Sequence, residues 1–210
     1  WDTIIYNHLL TKDIIIPPRE DQIKDTQYEG AYVKDPQLGL HNWIVSFDLN
    51  SLYPHLIMQY NISPETFVGT EPKAVGVENF LDEKLNLKWA KDRNLTIAPN
   101  GAMFKRDKQG FLPELMEKMY TERVVYKKKA IEAKIEYQKT KDPIYSNEIS
   151  RCHNIQMAKK ISLNSAYGAI GNQYFRYFDV KQAEAITLGG QLSIRWIERD
   201  VNKFMNKLLG

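Results

Sequence analysis

Two long runs of helical spacing, separated only by Lys141-Asp142-Pro143, constrain the fold more than any other feature of the sequence. The spacing predicts one helix over 113–140 and another from 147 to about 169, and so short a connection makes them an antiparallel hairpin. In the first, Leu112, Leu115, Met119, Tyr126, Ala130 and Ala133 keep an apolar stripe, while Arg123 and Lys127, four apart, share another face. In the second, Gln156, Lys160, Asn164 and Tyr167 recur at spacings of four, four and three, opposite the small residues Ala158, Ser162 and Ala166. Polar groups aligned on one face can grip one ligand.

The stretch Trp43-Ile44-Val45-Ser46-Phe47 is nearly continuous in aromatic and β-branched side chains and reads as a short buried strand that ends in charge at Asp48. A carboxylate beside such a core calls for a cation, either a basic side chain or a metal. Pro54 suits the first turn of a helix running to about Tyr60. The backbone N–H groups of Asn50, Ser51 and Leu52 then lie near a helix N-terminus, which favours phosphate. An acid of metal-binding type next to a phosphate cradle points to nucleotide chemistry. Plainer alternatives stand beside this: a salt bridge for Asp48, a solvated helix face for Arg123, Lys127 and the Lys127-Lys128-Lys129 triple, and core packing for Tyr53 and Tyr167. His153 beside Cys152 has no further soft ligand nearby, and the Tyr174-Phe175-Arg176-Tyr177-Phe178 cluster is expected to pack against a sheet.

A chain of 210 residues can bury a sizeable core and form one or two domains. A net charge of +3 permits a nucleic-acid partner without requiring one, and the basic residues concentrate between Arg123 and Lys141, where seven Lys or Arg face two Glu. The single cysteine excludes an intrachain disulfide and a thiolate zinc cluster. No stretch has the length and apolarity of a membrane span. The start at Trp1, without Met or a signal pattern, suits a segment excised from a longer chain. A short helix over 1–10 and the Ile14-Ile15-Ile16 run, stopped by Pro17-Pro18, read as a connecting segment. Residues 28–33 and 43–49 are predicted strands, 69–99 a variable surface insertion, and 106–109 the turn of a small hairpin. A last amphipathic helix is predicted over about 181–208, despite Gly189-Gly190 in its middle.

Asp48-Leu49-Asn50-Ser51-Leu52-Tyr53-Pro54 resembles motif A of family B DNA polymerases, and Lys160-Ile161-Ser162-Leu163-Asn164-Ser165-Ala166-Tyr167-Gly168 resembles their motif B, in the same order along the chain. Asn61-Ile62-Ser63-Pro64-Glu65-Thr66, Ala98-Pro99-Asn100-Gly101 and Gly171-Asn172-Gln173-Tyr174-Phe175-Arg176-Tyr177 look most like the replicative enzymes of T-even-like bacteriophages within that family. The resemblance implies an α/β (α+β) fold: a polymerase palm sheet interrupted by a fingers subdomain made of the helical hairpin. The implied boundaries are a connecting segment at 1–27, palm at 28–112, fingers at 113–170 and a second part of the palm at 171–210. It also implies template-dependent transfer of deoxynucleotides to a primer 3′-hydroxyl, with Asp48 and the Leu49 carbonyl binding two Mg²⁺ ions. Arg123, Lys127, Lys160 and Asn164, with the Ser51 and Leu52 backbone, would hold the triphosphate. Tyr53 would exclude a ribose 2′-hydroxyl, Tyr167 would sit beneath the nascent base pair, and Tyr28 and Gly30 would contact template DNA.

Three departures qualify the resemblance. Ala31 stands where the family has a second glycine after Tyr28-Glu29-Gly30, and His55 stands where it commonly has a small Ser. The family's second catalytic acid, in an Asp-Thr-Asp hairpin, has no counterpart before Gly210. The expected partners are therefore primer-template DNA, deoxynucleoside triphosphates and the remainder of a polymerase with its motif C, thumb and exonuclease, with a sliding clamp reached through those other regions. No membrane partner is expected, and the implied place of work is the cytoplasm, that of a bacterial host if the chain is phage-encoded. The isolated chain is expected to be inactive. A noncatalytic DNA- or nucleotide-binding module derived from a polymerase is the alternative.

Overall fold

The computed structural model describes residues 1–20, 22–23, 26–42 and 44–209. In chain order its elements are α1 (Asp2–Leu10), α2 (Leu52–Tyr60), β1 (Phe67–Val75), α3 (Val77–Leu81), α4 (Lys88–Asp92), β2 (Leu95–Ile97), β3 (Asn100–Lys105), α5 (Phe111–Thr140), α6 (Pro143–Ile170) and α7 (Val180–Leu209). The fold is a mixed, largely helical one with a small antiparallel sheet.

The hairpin expected from the sequence is α5 and α6, and its second helix begins four residues before the expected start. Asp142 caps it by accepting the Ile144 N–H at 2.9 Å, and Pro143 occupies the first turn, where its missing N–H costs nothing. Lys141 makes the turn in the left-handed region, with φ 57°. Midway along, the two helices meet through the small buried residues Ala133 and Cys152, and a Lys159–Glu122 ion pair links them further down. At the base Leu112, Leu115, Met116, Leu163, Ala166 and Ile170 enter the main core with Ile5 and Leu9 of α1, Ile57 of α2, Phe104 of β3 and Ile186 of α7. Lys12 and His8 both reach Glu114, so α1 is tied to the first turn of α5 as well as packed near it.

The segment between α2 and β1 fixes where α5 starts. Asn61 adopts φ 60° and is only 8% exposed. Its amide donates to the carbonyls of Lys105 (2.6 Å) and Lys108 (2.9 Å) and accepts the Gly110 N–H (2.9 Å). Glu65 accepts the Phe111 N–H at 2.6 Å and the Ser63 hydroxyl at 2.6 Å, while Ser63 Oγ accepts the Leu112 N–H at 3.4 Å. The orphan donors of the helix N-terminus are thus met from outside the helix, with a carboxylate at its positive end. Gly110 has no room for a side chain, because a Cβ there would stand 2.5 Å from Ser63 Cβ.

The sheet corrects two expectations. Residues 69–99 are not simply a surface insertion, since they contribute β1, β2 and a strand order of β1-β3-β2, with Phe67 opposite Phe104 and Thr96 also opposite Phe104. The β2–β3 turn falls at 98–101, closed by Gly101 N–H to Ala98 O at 2.8 Å with Gly101 at φ +81°, and not at 106–109. Conversely, 28–33 and 44–49 form no ladder. In the first, the backbone is held by α7, with Thr187 donating to Glu29 O (2.8 Å) and Gln191 to Gly30 O (2.7 Å). In the second, the apolar side chains face solvent, Ile44 at 78% and Phe47 at 69% exposure, and without neighbouring strands β-branched residues do not hold a strand. Trp43 lies outside the described residues. The aromatic cluster at 174–178 joins the main core through Phe175, Tyr177 and Phe178, a core that Ala102 and Phe104 of β3 also enter, and Tyr177 lies 5.2 Å from Phe111 at the start of α5 and 5.8 Å from the buried Phe175.

Asn61→Gly, which keeps the left-handed backbone but deletes the three side-chain bonds, is expected to cost about 2 to 3 kcal/mol. Asn61→Ala should cost about 1 kcal/mol more, because it adds strain at positive φ. Urea unfolding of both variants measures this, and midpoints equal to the parent's would show that the anchor carries no stability.

Candidate functional site

A cavity of about 900 Å³ opens between α2, α5, α6 and α7. Asp48, Leu49, Ser51, Leu52 and Tyr53 line one side, Arg123 from α5 and Lys160 and Asn164 from α6 another, and Ile194, Glu198 and Asn202 of α7 a third. The four-residue spacing of Lys160 and Asn164 puts both on the face of α6 that meets the cavity. The hairpin therefore delivers groups from two helices to the start of a third.

The N-terminus of α2 is open toward this cavity. Ser51, its capping residue, sits at φ 54° and ψ 46° and makes no side-chain cap to the helix. Its hydroxyl instead accepts Arg123 Nη1–H at 3.2 Å. The His55 ring secures the same residue: Nδ1–H donates to the Ser51 carbonyl at 2.9 Å, which fixes the proton on that nitrogen, and the ring meets Tyr120 edge-on at 4.7 Å. His55, a departure without consequence at the level of sequence, thus ties α2 to α5. Arg123 Nε is buried and has no protein partner. A buried guanidinium donor left open beside an uncapped helix N-terminus is suited to an anion.

Three tyrosines adjoin the cavity. Tyr53 and Tyr167 pack edge to face with ring centres 4.9 Å apart, and Tyr28 meets Tyr167 at 6.4 Å. Burial, then the Tyr28 hydroxyl, pushes the Tyr167 phenol well above its usual range. Burial pushes Tyr53 up as well, so both are neutral donors at neutral pH. Gly171 lets Tyr28 approach, since a Cβ there would overlap the Tyr28 hydroxyl.

Of the residues singled out in the sequence, Asp48, Leu49, Ser51, Leu52, Tyr53, Arg123, Lys160 and Asn164 share the cavity, with Tyr167 and Tyr28 next to it through their rings. Lys127 is exposed and lines no part of it. Gly30 is held against α7 by Gln191. Glu198 was not singled out; it lines the cavity and pairs with Lys34. Only the fold brings that pair together, so spacing carried no signal for it. Among the described residues no group of three or more His, Cys, Asp or Glu could hold a metal ion, and Asp48 is exposed. The donor set does not by itself fit a pair of divalent ions. No described helix is long and apolar enough to cross a membrane.

Comparison with known proteins identifies the family. The chain matches DNA polymerase family B over residues 2–209 and belongs to that family. It is 30% identical to the DNA-directed DNA polymerases of Escherichia phage RB69 and Enterobacteria phage T4, over its whole length and 27% of theirs. It is 33% identical to DNA polymerase 1 of Pyrococcus abyssi over 87% of this chain and 20% of that one. The family B DNA polymerase of Pyrobaculum calidifontis superposes on 99% of the chain, and on 23% of its own, with a TM-score of 0.62 and 25% identity. The chain thus spans about a quarter of the phage relatives it matches.

His55→Ala, which removes one hydrogen bond and one aromatic contact, is expected to cost about 1.5 to 2.5 kcal/mol. His55→Phe, keeping the ring, should cost about 1 kcal/mol. Equal stability of parent and Ala variant in urea unfolding would remove His55 from the α2–α5 connection.

Proposed function

We propose that the chain is the palm-and-fingers portion of a DNA-directed DNA polymerase acting in DNA replication, with palm at 28–112 and 171–210, the α5–α6 hairpin at 113–170 as fingers, and 1–27 as a connection. The observation that carries this reading is the convergence of Arg123, Lys160 and Asn164 on one cavity with Asp48 and the open N-terminus of α2. Arg123 would engage phosphate oxygens through its fixed fork of donors, Lys160 would neutralise charge as a mobile point, and the Ser51 and Leu52 N–H groups would add backbone donors. Lys127, one turn beyond Arg123, would meet the outer end of the triphosphate. Tyr53 would close the sugar side against a 2′-hydroxyl, Tyr167 would lie under the new base pair, and Tyr28 and Gly30 would face the template. Asp48 and the Leu49 carbonyl would serve as oxygen donors to divalent metal.

The use of two Mg²⁺ ions rests on the family, and it requires further acids from the remainder of the polymerase. When bound, such ions supply charge stabilisation for in-line displacement. The groups on this chain bind, orient and neutralise the nucleotide. Primer-template DNA, deoxynucleoside triphosphates and the rest of the polymerase are the proposed partners, with a sliding clamp through other regions, in the cytoplasm where these substrates occur.

In the complete polymerase, Asp48→Asn should lower nucleotide incorporation at least about a thousandfold, or about 4 kcal/mol of barrier, while primer-template affinity stays near that of the parent. Near-normal turnover would take Asp48 out of the mechanism. Arg123→Ala and Lys160→Ala should each lower kcat/KM for the incoming nucleotide by about 2 to 4 kcal/mol of transition-state stabilisation. Loss of DNA affinity with unchanged nucleotide kinetics would favour a noncatalytic DNA-binding module instead.

A further inference from the structure

Helix α7 carries two adjacent glycines, Gly189 and Gly190, about a third of the way along its thirty residues. Glycine inside a helix is unfavourable, and neither residue has a positive φ that would call for it. Both are buried, and the space above them is filled by rings from α2. A Cβ on Gly189 would meet Tyr60 Cε2 at 3.3 Å, a tight approach that a small shift relieves. On Gly190 a Cβ would stand 2.9 Å from Tyr53 Cε1 and 3.6 Å from Tyr53 Cδ1, with Leu52 Cδ2 at 3.7 Å. The Tyr53 ring faces the cavity on its open side. Its other neighbour is Tyr167, with ring centres 4.9 Å apart, and that phenol is itself packed against Tyr28.

The geometry points to Gly190 as the residue that sets the seat of the Tyr53 ring, and so acts as a positioning residue for sugar selection at the nucleotide site. This rests on the reading of Tyr53 as the sugar-facing ring. The missing side chain lets α2 approach α7 closely enough to hold the ring between Gly190 and Tyr167 at a fixed depth beside the cavity. A methyl group at position 190 drives the ring toward Tyr167 and the cavity, because packed cores resist added volume. The sugar space then narrows for every nucleotide, and most for one bearing a 2′-hydroxyl. Gly190 lines no part of the cavity, and the nearest atoms to an added methyl are those of the Tyr53 ring, so its effect passes through Tyr53.

A double-mutant cycle in the complete polymerase tests this, with Gly190→Ala, Tyr53→Ala and both together assayed for kcat and KM with deoxynucleoside and ribonucleoside triphosphates. With Tyr53 present, Gly190→Ala should raise KM for the deoxynucleotide about tenfold and leave kcat within about threefold, with ribonucleotide use falling at least as far. With Tyr53→Ala, where no ring remains to be displaced, the added methyl should change either KM by less than about twofold. Tyr53→Ala alone should relax sugar selection. Equal effects of Gly190→Ala in both backgrounds, or none in either, would overturn the seat while a relaxed Tyr53→Ala keeps the sugar reading. A coupled cycle with unrelaxed Tyr53→Ala would overturn the sugar reading, and with it the role in selection assigned to Gly190, leaving only a packing contact.

Discussion

The buried Asn61 amide is the constraint on which the rest of the structure depends. Three backbone segments meet at it: the end of α2, the end of β3 and the start of α5. A thirty-residue helix that buries little of its outer half cannot set its own direction, so the direction comes from its first turn. There Asn61, Ser63 and Glu65 satisfy donors that would otherwise be orphaned. Because the same residues follow directly on α2, the helix that opens the cavity and the helix that brings Arg123 to it are positioned by one short loop. Changing the loop would move both walls of the site together.

Helix α2 is the common neighbour in the assembly. Its first turn holds Ser51, which is tied to α5 through Arg123 and to its own helix through His55. Its rings lie on the glycines of α7, and Tyr53 continues into the tyrosine cluster of α6. The resulting cavity has cationic and amide groups on one side and the Asp48 carboxylate on another, while α7 adds Ile194, Ile197, Val201 and Met205 with Glu198 and Asn202 among them. Apolar surface beside fixed cations strengthens their attraction for an anion. Neutral phenols at the rim offer ring surface without adding charge.

The hairpin was legible in the sequence because a 3.6-residue period sustained over two long runs has no other reading, whereas the start of its second helix was not, since Asp142-Pro143, expected as the break, caps and begins it. The shared face of Lys160 and Asn164 was legible for a related reason: they lie four apart, so a helix aligns them whatever surrounds it. The sheet was not. Strand β1 is half-exposed and shifts register along its length, β2 has only three residues, and their charged, mixed sequence hides the alternation that marks a buried strand. The reverse error at 44–49 has the same root, since a β-branched run specifies a strand only when neighbours supply a ladder. What Asn61 and Gly190 do had no local signal. Asn61 acts through backbone 44 to 49 residues away, and Gly190 through a ring on another helix. The glycine pair read as a weakness of a helix and proves to be the contact surface for its neighbour.

The central claim is that the cavity between α2, α5, α6 and α7 holds the triphosphate of an incoming nucleotide. The most direct measurement is a crystal structure of the complete polymerase with primer-template and a nonhydrolysable deoxynucleoside triphosphate. Phosphate oxygens within hydrogen-bonding distance of Arg123 and Lys160, next to the Ser51 and Leu52 N–H groups, with the sugar against Tyr53, are the predicted result. A nucleotide bound away from these groups, with Arg123 still paired only to Ser51, would contradict the account.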